Sequence, residues 1–345
     1  MVLKMKSRNY NGGTLYDSRR EQLRYQLADT LGTGSSGTVY RSQHPDVADV
    51  PIAVKVCNFG EENEQSPEYT AFKKEAELSY ELQHEHLVST YRHWLGAIAV
   101  PASSILDWRQ VMTMEYADGG SLRDQLAKRG RFPVGKVVAT IEQTARGVGY
   151  LHAQGLIHGD IKPGNLLQFG EVIKVGDFGV TEKIEQLKGG RFIMGSPAYM
   201  APEQFKGQSP APHSDLYSTG ITAYELATGT RPFNSYVLKD YMQQHVTPTP
   251  APSFAEIKSV KLTPQLEAIE PVIAQSIAND PNARHENVAA FSEDLRKAYE
   301  EGVARAARDV TIVDLAPYPT TPIDKPHSID VATQFFNSID MHCVG

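Results

Sequence analysis

Residues 156–167 read LIHGDIKPGNLL, and residues 173–180 read IKVGDFGV. The first stretch supplies His158, Asp160, Lys162 and Asn165 between apolar flanks; the second supplies Asp177, Phe178 and Gly179. Farther along, GSPAYMAPE (195–203) brings Ser196 and Glu203, and HSDLYSTG (213–220) brings Asp215 and Gly220. Weaker signals on either side take their meaning from these four motifs.

Upstream, YQLADTLGTGSSGTVYRS (25–42) sets Gly32, Gly34 and Gly37 between two β-prone runs. A dinucleotide-binding turn of that spacing leads into a helix, but Thr38, Val39 and Tyr40 prefer a strand. The pattern therefore predicts a strand, a glycine turn and a strand. Such a hairpin can lay main-chain N–H groups over phosphates, or it can be a tight surface turn. In PIAVKVC (51–57), Lys55 interrupts an apolar strand. A buried ammonium needs a carboxylate, and Glu75 in the leucine-spaced helix FKKEAELSYELQ (72–83) can supply it. On an edge strand, Lys55 would instead snorkel into water. Residues 87–99 and 110–116 read as strands. Helical texture begins at Ser121–Leu126 and dominates to about Tyr299, so the chain divides into a β-rich third and a helical remainder. Residues 1–24 are polar and read as a flexible extension.

The 345 residues carry 34 Lys+Arg against 41 Asp+Glu, a net charge of −7 that argues against a general nucleic-acid binder. Hydrophobic residues at 41% and charged residues at 22% are ordinary for a globular chain and exclude collagen and disorder. Cys57 and Cys343 are the only cysteines, which excludes a disulfide framework and a cysteine-built metal cluster. Cys57 reads as an ordinary strand residue. His84 and His86 lack the partners that would complete a zinc site. The most apolar window, from Trp94 to Leu106, contains Pro101 and is too short to span a membrane, and the N-terminus lacks the apolar run of a secretory signal. The expectation is a cytoplasmic protein, or an effector secreted into another cell's cytosol.

Taken together, the four motifs resemble the eukaryotic-like (Hanks-type) protein kinase family, its serine/threonine branch in particular, across residues 25–300 and in the family's order and spacing. The resemblance implies an α+β, bilobal protein-kinase fold with a β-rich small lobe and a mainly α-helical large lobe. It divides the chain into an extension (1–24), the small lobe and hinge (25–117), the large lobe (118–302) and a proline-containing tail (303–345). It implies transfer of the γ-phosphate of Mg-ATP to Ser or Thr hydroxyls of a protein substrate.

That reaction needs an aligned nucleophile and neutralised phosphate charge. By resemblance, Asp160 accepts the hydroxyl proton and Lys162 holds charge on the transferred group. Asn165 and Asp177 offer hard oxygen ligands to Mg²⁺, with Mn²⁺ as the alternative ion. Lys55, fixed by Glu75, holds the α/β-phosphates beneath Gly32, Gly34 and Gly37. Leu31 and Val39 cover the base, Ala53 and Leu167 line its pocket, and Met114 backs it before the hinge Glu115-Tyr116-Ala117. Glu203 should pair with Arg284, and Asp215 should anchor the backbone of the 158–165 loop.

Two departures stand out. Gly159 replaces the arginine that commonly receives an activation-loop phosphate in the family, and residues 182–195 contain no Ser, Thr or Tyr. Activation is therefore expected not to rest on a phosphate in the middle of that loop. Ser79 and Thr90 also occupy two normally apolar stacking positions, where the two hydroxyls are expected to bond each other. The HGDxxPGN pattern is shared with aminoglycoside and choline phosphotransferases, the rival class. Those usually lack the DFG triplet, the APE-type segment and the SDLYSTG helix start. A pseudokinase scaffold is the non-enzyme alternative, but such proteins usually lack one of the residues present here at 55, 75, 160, 165 and 177. The short connections resemble bacterial members. The tail carries Pro317, Pro319, Pro322 and Pro326, an apolar patch from Val331 to Phe336, and Thr320 and Thr321 as autophosphorylation candidates. It is expected to dock on this chain or on a partner.

Overall fold

The computed structural model describes residues 9–17, 20–34, 37–47, 49–59, 67–99, 106–179, 181–183, 195–235, 237–247 and 250–311. The chain divides into two compact units, residues 1–306 and 307–345. The first is α+β and bilobal. Its small lobe runs through β1 (Thr14–Asp17), β2 (Arg20–Gln26), β3 (Thr30–Thr33), β4 (Gly37–Gln43), β5 (Pro51–Cys57), α1 (Pro67–Glu81), β6 (Thr90–Ala99) and β7 (Leu106–Glu115). The seven strands form one antiparallel sheet in the order β2-β1-β6-β7-β5-β4-β3.

The two edge strands of that order are consecutive in the chain. Leu27 N donates to Gly13 O at 2.9 Å and Leu27 O accepts from Gly12 N at 2.7 Å, while Ala28 N donates to Arg41 O at 2.9 Å. Neighbouring residues 27 and 28 thus bond to segments on opposite sides of the sheet, which is curled. Leu15, Tyr25, Leu27, Tyr40, Val54, Trp94 and Ile98 fill the interior.

This corrects the expectation of a flexible extension over 1–24. Of its described part, Tyr10 and Leu15 are core, and β1 pairs with both β2 and β6. The segment is polar on average because a four-residue strand turns only alternate side chains inward. One of the inward pair is Asp17, whose carboxylate meets Arg92 Nη1 at 2.6 Å.

The large lobe follows with β8 (Gly120–Ser121), α2 (Leu122–Arg129), α3 (Val134–Ala153), β9 (Leu156–Ile157), β10 (Leu166–Phe169), β11 (Val172–Val175), β12 (Glu182–Lys183), α4 (Pro202–Phe205), α5 (Pro212–Thr228), α6 (Leu238–Val246), α7 (Pro264–Ser276) and α8 (Val288–Thr311). Helix α5 is buried from Ser214 to Thr228 and packs against α3 and α7. Thr263 caps α7 by accepting from Leu266 N, and Gly229 ends α5 at φ +82. The tail boundary at 303 is also corrected. Helix α8 continues to Thr311, carried by strong helix formers such as Glu300, Glu301 and Ala304, and Arg305 reaches back to Glu267 on α7 at 2.5 Å. The proline segment, the apolar patch 331–336, Thr320 and Thr321 lie outside the described residues, as does most of the loop 182–195. No helix among the described residues is long and apolar enough to cross a membrane.

Candidate active site

Strand β5 lies between β4 and β7, and every residue from 52 to 57 is buried, which keeps Lys55 from bulk water. Its Nζ meets Glu75 Oε1 of α1 at 2.6 Å and Asp177 Oδ1 at 3.6 Å. Burial alone would lower the ammonium's pKa; Glu75 and then Asp177 outweigh it and hold the pKa above the ordinary lysine range. Of the two readings of this lysine, the buried pair is the one realised. Asp177 sits at φ +65, a conformation rare outside glycine, with its carboxylate half exposed. Burial would raise its pKa, but Lys55, His158 and Lys162 lower it on balance. Phe178 packs edge-on against His158, centroids 5.7 Å apart, which seats the 177–179 turn on the 158–165 loop.

That loop leaves β9, passes a 3₁₀ turn at Pro163–Asn165 and enters β10. Its polar groups are mutually satisfied. Asp160 Oδ2 accepts from Lys162 Nζ at 2.5 Å and from Asn165 Nδ2 at 3.2 Å, and Oδ1 accepts from Ser196 N at 2.8 Å. Asn165 Nδ2 also donates to Asp160 O at 2.8 Å, and Lys162 Nζ donates to Ser196 Oγ at 2.8 Å. Underneath, the fully buried Asp215 of α5 accepts from the main-chain N–H groups of His158 (2.9 Å) and Gly159 (2.8 Å). His152 Nε2 lies 2.9 Å from the same carboxylate. Burial would raise the Asp215 pKa; the His152 hydrogen bond and charge reverse that.

Gly159 has φ +77, a strained value for the arginine it replaces. A Cβ on Gly195 would fall 2.3 Å from Gly159 O, so the two backbones touch where Ser196 joins Asp160. Glu203 and Arg284 pair as the resemblance implies, through 2.9 Å and 2.8 Å bonds, with Ser214 Oγ donating to Glu203 Oε1 at 3.0 Å.

The remaining expected residues line the hinge side. Leu31 and Gly32 lie on β3, Gly37 and Val39 on β4, Ala53 on β5, Met114 at the end of β7 and Leu167 on β10; Ala117 is the last residue of the hinge, after β7 ends. Gly32 pairs with Val39, Ala53 pairs with Met114, and Gly34 N donates to Gly37 O at 2.8 Å, closing the hairpin. A Cβ on Gly32 would meet nothing within 4 Å, which leaves open space beside the turn. The side chain of Glu115 is committed elsewhere: it accepts from Lys174 Nζ at 2.8 and 2.7 Å and from Ser89 N at 2.6 Å. Its contribution to a nucleotide would come from its main chain.

Thr90 Oγ1 donates to Met112 Sδ at 3.6 Å, so the expected Ser79–Thr90 bond is not formed. The methionine stands across the strand pair, nearer than the helix. Sequence reasoning passed over the Lys174–Glu115 pair and an Arg123–Glu225–Tyr199 cluster. Glu225 had a signal, a carboxylate inside the apolar run ITAYELAT, which demands a partner.

A profile described as the protein kinase domain matches residues 25–295. Among curated relatives, the serine/threonine-protein kinase drp72 of Corynebacterium efficiens is 34% identical over 212 residues, covering 61% of this chain and 39% of its own. Serine/threonine-protein kinase Pkn1 of Myxococcus xanthus is 30% identical over 309 residues, 87% of this chain and 42% of its own. Serine/threonine-protein kinase PknB of Mycobacterium tuberculosis is 29% identical over 297 residues, 84% and 45% respectively. The chain spans less than half the length of each of these relatives.

Proposed function

We propose, since the chain belongs to the protein kinase domain family, that it transfers the γ-phosphate of ATP to serine or threonine hydroxyls of a protein. The observation that carries this reading is the convergence of two charged groups of residues. Lys55, Glu75 and Asp177 are joined by contacts of 2.6 and 3.6 Å, and Asp160, Lys162 and Asn165 by bonds of 2.5 to 3.2 Å.

In this reading Lys55 binds the α/β-phosphates and Glu75 orients it. Asp160 orients the acceptor hydroxyl and takes its proton. One lone pair of Oδ1 remains for that task after the Ser196 N–H is satisfied. Lys162, between Asp160 and Ser196, places a positive charge where the phosphoryl group passes. The residues fit a divalent cation. The Asn165 amide nitrogen is held by Asp160, which leaves the amide oxygen as the atom to offer as a ligand, and the half-exposed Asp177 carboxylate stays ionised. Asn165 and Asp177 would hold Mg²⁺ or Mn²⁺, which neutralises phosphate charge.

Activation without a mid-loop phosphate is part of the proposal. Gly159 offers no receiver, residues 182–195 offer no acceptor, and the Gly159–Gly195 contact with the Ser196–Asp160 bond holds the two segments together. Partner binding through the tail belongs to the same reading.

Radiolabelled ATP supplied to wild type and Asp160→Asn, with the protein itself, generic protein substrates, aminoglycosides and choline as acceptors, tests it. Phosphoserine or phosphothreonine made by wild type alone is the expected result. Label confined to small molecules would replace this reading with the rival one. Phosphatase treatment should leave the rate unchanged, and truncation after Thr311 reports on the tail.

A further inference from the structure

Glu225 lies on the buried helix α5, and its carboxylate is fully used. Arg123 of α2 donates Nη1 to Oε1 at 2.7 Å and Nη2 to Oε2 at 3.1 Å. Tyr199 Oη donates to Oε2 at 2.5 Å and itself accepts from Arg123 Nη2. The guanidinium is not used up. The Arg123 side chain is 42% exposed, and its Nε–H and second Nη1–H have no partner among the described residues.

Its position gives those donors meaning. Helix α2 packs against the Pro163–Asn165 turn that follows Lys162. Tyr199 belongs to the 3₁₀ turn that starts after Ser196, whose N–H and hydroxyl are bonded to Asp160 and Lys162. Arg123 therefore bridges the two segments flanking the place an acceptor hydroxyl must occupy. Arg231 adds a second positive charge near the Tyr199 phenol, so two cations stand against one carboxylate. The acidic neighbour on the same helix, Asp124, is engaged by Ser121, whose hydroxyl donates to its Oδ2 at 2.6 Å, and Gly164 carries no charge.

We propose that Arg123, aligned end-on by Glu225 and Tyr199, is a specificity-determining residue that binds an acidic side chain flanking the acceptor Ser or Thr. This rests on the protein-kinase reading and adds which protein segments are chosen. The acidic group is a carboxylate or a phosphate, both of which suit a planar guanidinium.

The test is a peptide series with one serine in an alanine-glycine background, carrying Asp, Glu or phosphoserine at each flanking position in turn. The expected result is a preference of roughly ten-fold in kcat/KM at one or two positions, expressed in KM and weakened by salt. Asp and Glu set against phosphoserine decide which acid is used. The ratio of acidic to alanine peptide should fall to about one in Arg123→Gln and recover in part in Arg123→Lys. Because Arg123→Gln leaves Glu225 buried without its cation, Arg123→Gln/Glu225→Gln is measured beside it. A flat scan with wild type, or the same preference in the glutamine variants, overturns the proposal while leaving the kinase reading intact. No transfer from wild type to any peptide, protein or itself would remove both.

Discussion

Lys55–Glu75 in the small lobe and Arg284–Glu203 in the large lobe are both buried cation–carboxylate pairs, held in different ways. Arg284 grips Glu203 with two bonds, donates to the main-chain oxygens of Ala278 and His213, and lies 4.8 Å over the Tyr217 ring. Tyr217 Oη in turn lies 2.7 Å from His245 Nδ1. Lys55 makes one short contact to a carboxylate on a separate helix and a longer one to Asp177, whose carboxylate is half exposed. The large-lobe pair is woven into its surroundings and serves architecture. The small-lobe pair joins β5, α1 and the 177–179 turn through few bonds, which suits the proposed role of Lys55 in exchanging partners with phosphates.

The largest effect should come from the woven pair. Arg284→Ala strands a buried carboxylate and is expected to cost about 3–5 kcal/mol in urea unfolding. A loss below about 1 kcal/mol would erase the distinction between the lobes.

Acid should also strike the large lobe first. Burial pushes the His245 pKa down to about 4, so the folded state keeps this ring neutral while the unfolded chain protonates near its ordinary 6.5. Stability from this group is complete above the unfolded pKa and falls as pH drops from 6.5 towards 4, by roughly 3 kcal/mol in all. His245→Gln should flatten that slope, and an unchanged slope would detach His245 from it.

The smallest stability effect, with the largest activity effect, is expected at Lys55. Lys55→Met should lower phosphotransfer by about 10²–10⁴-fold while costing less than half the stability lost in Arg284→Ala. Equal destabilisation of the two variants would make Lys55 a structural residue.

The clustering of the proposed site residues was largely legible in the sequence, because the chemistry proposed for them calls for particular side-chain types at short range. Asp160, Lys162 and Asn165 lie on one loop, and their mutual bonds follow from that spacing. Glu203–Arg284 and Asp215 were reached by resemblance alone, since nothing local in DPNAR points to a carboxylate on α4. The N-terminal hairpin stayed hidden because β1 shows one inward leucine and one inward aspartate, and that aspartate is met by Arg92 from the distant β6. The Ser79–Thr90 expectation failed for the opposite reason. Both residues were placed, but a hydroxyl takes the nearest acceptor that packing presents, here the sulfur of Met112.

The sequence by itself determined which acids, amines and amides this protein offers at the proposed site, because those groups are specified by type and by short spacing along one chain. Only the tertiary structure decided that the polar first segment joins the curled sheet, that Glu115 turns to Lys174, and that Glu225 is spent on Arg123. Each of these depends on partners distant in sequence, and burial makes a charge choose whichever partner the fold brings within reach.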